Sequence, residues 1–157
     1  MENLNKNDDA PKFGGMVDIS SKPIVYRTVK AEGVIRLSRQ TLNALRRGRV
    51  KKGDALATAE VAGILATKKT HELIPLCHPI PITRVQFTFD LMDDRIKASC
   101  TVNADYRTGV EMEALVGVSM ALLTIWDMVK YMEKDEKGQY PITAIEHIKV
   151  VKKVKVK

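Results

Sequence analysis

Two stretches of the chain carry residue types that a plain structural core does not require. Residues 70–79, Thr-His-Glu-Leu-Ile-Pro-Leu-Cys-His-Pro, set a thiol and an imidazole side by side at Cys77 and His78, with Pro75 and Pro79 around them. Proline restricts φ and cannot extend a helix, so this spacing predicts a stiff loop that displays both groups. Residues 108–130 begin Thr-Gly-Val-Glu-Met-Glu-Ala-Leu and end Thr-Ile-Trp-Asp-Met-Val-Lys, a long apolar segment with Glu111 and Glu113 at its start and Asp127 and Lys130 near its end. Adjacent side chains in an extended loop point apart, which argues against a Cys77–His78 nucleophile pair. His78 suits a phosphate or base contact, or proton transfer near neutral pH; a hydrogen-bonded structural histidine is the bland alternative. Asp127 and Lys130, three residues apart on a helix, form an ordinary ion pair by spacing alone. Their apolar neighbours Trp126, Met128 and Val129 suggest partial desolvation, the setting that perturbs pKa values for acid/base work. Glu111 and Glu113 complement a helix dipole without needing a function.

Lysines add a second pattern. Lys51 and Lys52 precede a helical segment over 54–68, and Lys68 and Lys69 end it, so ammonium groups bracket a helix of roughly 20 Å. Surface solvation explains any one of them. The Lys52-Gly53-Asp54 turn, however, meets a helix N-terminus whose free amides favour an anion, although the P-loop pattern is absent. His71, Cys77 and His78 lack zinc-ligand spacing, and two cysteines, Cys77 and Cys100, make no disulfide framework.

The elements that must position these groups follow from periodicity. Residues 1–15 are polar and aperiodic, which predicts a mobile arm, and 16–157 read as one domain. β-Branched residues over 24–37 predict a first strand, with Gly33 allowing a bulge. Ser38 is placed to cap a short helix that ends at Gly48. Small residues (Ala55, Ala57, Ala59, Ala62, Gly63, Ala66) make the 54–68 helix one that another backbone can approach closely. Residues 83–90 and 95–105 alternate as a hairpin turned at Asp93-Asp94. Thr108 and Glu111 have capping-box spacing ahead of a helix of about six turns, and 140–151 supply the last strand. This order, β-α-β-β-α-β, is the ferredoxin-like α+β plan, an antiparallel sheet with helices on one face.

Glu113 and Asp127 are fourteen residues apart, nearly on one helix face but ~21 Å apart along the axis. If both serve one ligand, the site spans a subunit interface, and a helix this apolar has surface to cover there. Apolar residues make up 45% and charged residues 29%, the balance of a soluble globular protein, and no uninterrupted apolar run approaches a membrane span. With no secretory pattern at the N-terminus, a cytoplasmic setting is expected. The net charge of +7 favours anionic partners, though much of it lies in the final Lys/Val tail, which an edge strand guarded by lysines explains equally well.

Several motifs taken together are specific: Met-Val-Asp at 16–18, Lys-Gly-Asp at 52–54, Ala-Thr-Ala at 57–59, Leu-Ile-Pro-Leu-Cys-His-Pro at 73–79, Thr-Gly-Val-Glu-Met-Glu-Ala-Leu at 108–115 and Leu-Thr-Ile-Trp-Asp-Met at 123–128. In this order and spacing, over about residues 16–147, the chain resembles the cyclic pyranopterin monophosphate synthase family of molybdenum cofactor biosynthesis. The resemblance implies a ferredoxin-like subunit in a homohexamer, a trimer of dimers, with active sites at the dimer interface. It implies a lyase that converts a cyclised dihydroguanosine triphosphate to cyclic pyranopterin monophosphate and pyrophosphate, with no cofactor and no metal held by the protein. By motif, Asp127 matches the family's acid/base residue, and Lys52 and Lys130 match its catalytic lysines. Leu76, Cys77, His78, Met112 and Glu113 match substrate-binding segments, and Lys68, Asp18 and Arg27 stand at matching positions. His71 and Trp126 depart from the family's usual aromatic and tyrosine.

A rival reading is an RNA-binding module, which shares the fold plan and would stack bases on Phe87 and Phe89. The basic-aromatic consensus of such modules is missing, and aromatics are only 5% of the chain, so no nucleic-acid partner is expected.

Overall fold

The computed structural model describes residues 14–156, so the expected N-terminal arm lies almost wholly outside the described residues. Alternation builds the central strands. In β1 (Val25–Arg36), Val25, Arg27, Val29, Ala31 and Ile35 face inward, and in β3 (Arg95–Tyr106) Ile96, Ala98, Cys100, Val102 and Ala104 do the same. The antiparallel register sets Val29 against Val102, Ala31 against Cys100 and Ile35 against Ile96, so the two inner faces coincide. β2 (Ile82–Leu91) and β4 (Ala144–Val156) flank them in the order β2-β3-β1-β4, every pairing antiparallel. With the helices on one side, this is the expected ferredoxin-like arrangement.

The last strand lies further along the chain than periodicity placed it: 140–143 form no strand, and β4 runs through the Lys/Val tail. The tail is thus a mostly exposed edge strand, as its lysines suggested. The register between β1 and β4 slips around Gly33, opposite His147 at φ 57. A Cβ at Gly33 would press on Leu122 and Ile148, which fill the space that the bulge leaves.

Four helices cover the inner face or flank it: α1 (Arg39–Arg46), α2 (Ala55–Lys68), α3 (Thr70–Leu73) and α4 (Glu111–Glu133). α4 is the spine. Val118, Leu122, Ile125 and Val129, spaced by three or four residues, are fully buried on the sheet, each stabilising by about 1.5–3 kcal/mol relative to exposure. By length and composition α4 is apolar enough to cross a membrane, although Glu113 and Asp127 interrupt its apolar run; here it is the core helix of a sheet-backed fold. α2 lies against it through its small residues. The Phe87 ring enters between Gly63 and Gly117, where a Cβ at Gly63 would overlap the ring and one at Gly117 would overlap Thr67 Oγ1. The side chains of Phe87 and Phe89 pack into the core cluster, not on an open sheet face, which removes the stacking platform an RNA-binding reading requires.

Helix ends are fixed unevenly. Ser38 caps α1 by accepting from Thr41 N–H (3.2 Å), as expected. The buried Glu133 carboxylate accepts from Ser38 N–H (3.1 Å), Ser38 Oγ (2.8 Å) and Thr143 Oγ1 (2.7 Å), tying the end of α4 to the start of α1 and the approach to β4. The expected Thr108–Glu111 capping box does not form. α4 starts at Glu111 with Val110 as its N-cap, two residues past Thr108, and valine has no side-chain acceptor; the Glu111 carboxylate folds over Gly109 and pairs with Lys153 of β4.

Candidate active site

At the C-terminal end of α4 three charges meet. Asp127 projects from the outer face of the helix, Lys130 reaches it from the next turn (Nζ to Oδ1, 2.9 Å), and Lys52 arrives from the turn before α2. Lys52 Nζ donates to Asp127 Oδ2 at 2.9 Å and to the Asp127 carbonyl at 2.8 Å. The two ammonium groups hold the Asp127 carboxyl down to about 2, the Lys52 bond contributing most, and the carboxylate in turn raises Lys130. The expected partial desolvation is not found. The Asp127 side chain is 56% exposed, because Met128 and Val129 turn inward while residue 127 turns out, so pairing with the two lysines outweighs burial in setting its charge. Trp126 packs edge-on against Tyr140 beside this cluster.

The anion pull expected at the start of α2 is already satisfied: the Asp54 side chain caps the helix, accepting from Leu56 N–H (3.1 Å) and Ala57 N–H (3.0 Å). Lys52 therefore stands out of that turn toward α4, not toward a bare helix terminus.

The N-terminal end of α4 is built differently. A cavity of about 450 Å³ lies between the Pro-flanked loop, the segment before β1 and the first turn of α4, lined among others by Val17, Lys22, Cys77, His78, Met112 and Glu113. His78 Nε2 donates to the Val17 carbonyl over 2.8 Å, which places the proton on Nε2 and ties the ring to the segment before β1. Glu113 is only 3% exposed, and burial pushes its carboxyl up to about 7. The half-buried Cys77 thiol is raised by desolvation and by the nearby Glu113 charge. Thr67 Oγ1 donates to the Glu113 carbonyl (3.2 Å), anchoring that helical turn to α2.

This division decides most of the expected residues. Asp127, Lys52 and Lys130 come together; Leu76, Cys77, His78, Met112 and Glu113 line the other cavity. Asp18 adjoins that cavity, accepting from Ser20 N–H at 2.8 Å. Arg27 does not line it: it is buried and donates to the carbonyls of Tyr106 (3.0 Å) and Arg107 (3.2 Å), a brace inside the fold. Lys68 is exposed at the end of α2, outside both groups. Sequence reading passed over Lys22, Ile80 and the Val17 carbonyl, which line or close the cavity. Among the described residues no group of three or more His, Cys, Asp or Glu is arranged to hold a metal ion.

The family model described as "MoaC family" matches residues 16–155, a span that contains both clusters. The chain belongs to the MoaC family. Its relatives include a probable cyclic pyranopterin monophosphate synthase of Thermococcus kodakarensis, 61% identical over 140 residues, 89% of this chain and 90% of that protein. A namesake in Sulfolobus acidocaldarius is 56% identical over 140 residues, 89% of this chain and 98% of its own length. A Methanothermobacter thermautotrophicus protein named a probable cyclic pyranopterin monophosphate synthase accessory protein is 60% identical over 141 residues, 90% of this chain and 89% of that one. Within this MoaC-family fold, the two clusters are separated by the ~21 Å of helix between Glu113 and Asp127.

Proposed function

We propose that the protein is a cyclic pyranopterin monophosphate synthase, a lyase that takes a cyclised dihydroguanosine triphosphate to cyclic pyranopterin monophosphate and pyrophosphate. The observation that carries this reading is the Asp127 carboxylate held between Lys52 and Lys130 in a chain of the MoaC family. Making a cyclic monophosphate from a triphosphate forms one bond from an internal hydroxyl oxygen to the α-phosphorus and breaks the bond to pyrophosphate. Charge grows on the leaving oxygens, and exposed ammonium groups on a helix end are suited to stabilise it. The accompanying pterin rearrangement needs proton transfers.

A carboxyl held near 2 is a weak base, so in the free protein Asp127 serves to hold two ammonium groups in place. A bound triphosphate competes for those ammonium groups; as Lys52 turns to phosphate, Asp127 loses its largest stabilising partner and its basicity rises. This gives Asp127 the acid/base role and the lysines the roles of clamp and proton donor. In this reading Leu76, Cys77, His78, Met112 and Glu113 receive the pterin-bearing end, with Asp18 and Lys68 at the margin and Arg27 acting through the main chain it braces.

The separation of the two clusters supports a site shared between two copies. Met112 and Leu123 are exposed on α4, as are Val61 and Leu65 on α2, and they give a second copy an apolar face to cover. A two-fold arrangement brings the Glu113 cavity of one copy toward the Asp127 cluster of the other, within the homohexamer, a trimer of dimers, and the cytoplasmic setting proposed from the family.

The test supplies the cyclised triphosphate to the purified protein and measures pyrophosphate and pterin product together. Formation of both, reduced at least about 100-fold in Lys52→Ala and Asp127→Ala with the fold intact, is expected. Neither product from folded wild-type protein overturns the reading.

A further inference from the structure

The turn carrying Lys52 touches α4 at a second point. Lys51 N–H donates to Tyr131 Oη over 2.8 Å, and the Lys51 ammonium lies 5.4 Å from the centroid of the same ring. Tyr131 stands four residues after Asp127, about 6 Å further along the helix. The anchor of residue 51 and the acceptor of residue 52 thus project from consecutive turns of one rigid element.

Lys52 and Asp127 are both about half exposed, and an ion pair between two solvated side chains is a weak positional restraint. Lysine has a long flexible stem, and the turn around it contains Gly53 at φ 106, a conformation that costs glycine little to leave. Within the turn, Gly53 N–H bonds Val50 O (3.0 Å), which closes the loop on itself without fixing its angle to α4. The Tyr131 hydroxyl accepts from the main chain of the residue before Lys52, a bond between the turn and α4.

We infer that Tyr131 is a positioning residue for Lys52: it holds the main chain of the 51–53 turn so that the Lys52 ammonium stands at Asp127. The consequence for turnover rests on the synthase reading, but the placement can be measured without turnover.

Tyr131→Phe keeps the ring, its packing and its contact with the Lys51 ammonium, and deletes only the acceptor. Wild-type and variant proteins are treated with limiting acetic anhydride, and labelling at each lysine is read by mass spectrometry. Lys52 labelling is expected to rise about three- to tenfold in Tyr131→Phe, while Lys97, paired with Asp90 on the sheet at 3.2 Å, is unchanged. No rise at Lys52, or an equal rise at Lys97, overturns the inference. In the pyrophosphate assay kcat falls by a similar factor, and Tyr131→Phe added to Lys52→Ala has no further effect; an additive loss in the double variant overturns action through Lys52. If wild-type protein gives no pyrophosphate, the synthase reading falls and the labelling result alone decides the positioning role.

Discussion

The two ends of α4 present the same functional group in opposite states. Asp127 is exposed between two ammonium groups and its carboxyl is held near 2; Glu113 is buried, makes no ion pair among the described residues and is pushed up to about 7. One carboxylate is tuned by partners and the other by burial. A single helix can thus keep a permanent anion at one end and a group poised near neutral pH at the other, provided that its two ends meet different surroundings. Two carboxyl groups with pKa values pushed apart are a common basis for divided acid/base roles.

The sharpest way to break the contrast is to disturb the helix that both ends share. Gly117→Ala puts a methyl group against Thr67 Oγ1 and within 3.0 Å of Cys100 Sγ, at the seam between α2 and α4. An expected loss of about 2–4 kcal/mol would be read from denaturant unfolding, and both ends should loosen together. Unfolding free energy unchanged from wild type would show that the seam yields where it is drawn rigid.

A second measurement isolates the buried end. Below pH 4.5, the ordinary glutamate value, both folded and unfolded chains carry Glu113 protonated, and its contribution to stability is complete. As pH rises from 4.5 toward 7 the unfolded chain ionises first, so stability falls, and it levels off above about 7. Glu113→Gln should abolish this slope and leave the protein more stable than wild type at pH 8 by about 2 kcal/mol, after allowing for water in the cavity. Asp127 behaves in the opposite sense. Its contribution is present above 3.8 and is lost only as pH falls through about 2, so Asp127→Asn leaves the slope between pH 5 and 8 as it is. Persistence of the slope in Glu113→Gln would remove burial as its source.

The smallest effect is at Cys77. Its thiol is raised by desolvation and by the Glu113 charge, so alkylation by iodoacetamide at pH 8 should run several-fold slower than that of a free thiol. Glu113→Gln should recover part of this rate, by about twofold, since it removes only the lesser of the two causes.

Much of this was legible along the chain. The alternation of Val25, Val29, Ile35 and of Ile96, Ala98, Cys100, Val102 determined the inner strand faces, because side chains two apart on a strand share a side. Ser38 and Gly48 marked the limits of α1, and the Gly33 bulge was visible as a break in a β-branched run. These are local effects, carried by residues that the chain itself brings together. The motifs at 52–54, 73–79, 108–115 and 123–128 likewise contained Lys52, Asp127, His78 and Glu113 before any contact was known, while Lys22 and Ile80 carried no such signal.

Contacts across the fold decided the rest. Seventy-five residues separate Lys52 from Asp127, and the packing of α2 beside α4, with the Tyr131 contact to the Lys51 main chain, brings them within 2.9 Å. The capping box at Thr108 and Glu111 failed because α4 starts at Glu111, past the reach of Thr108, and Glu111 pairs with Lys153 from the far end of the chain. Arg27 looked like a ligand by position and is a brace, since its strand face is buried and it donates to the carbonyls of Tyr106, at the end of β3, and Arg107. Sequence determined which groups the helix carries and on which side. Whether each meets water, a cation or an apolar wall depends on the neighbours that folding supplies, and those surroundings set the charge each group holds.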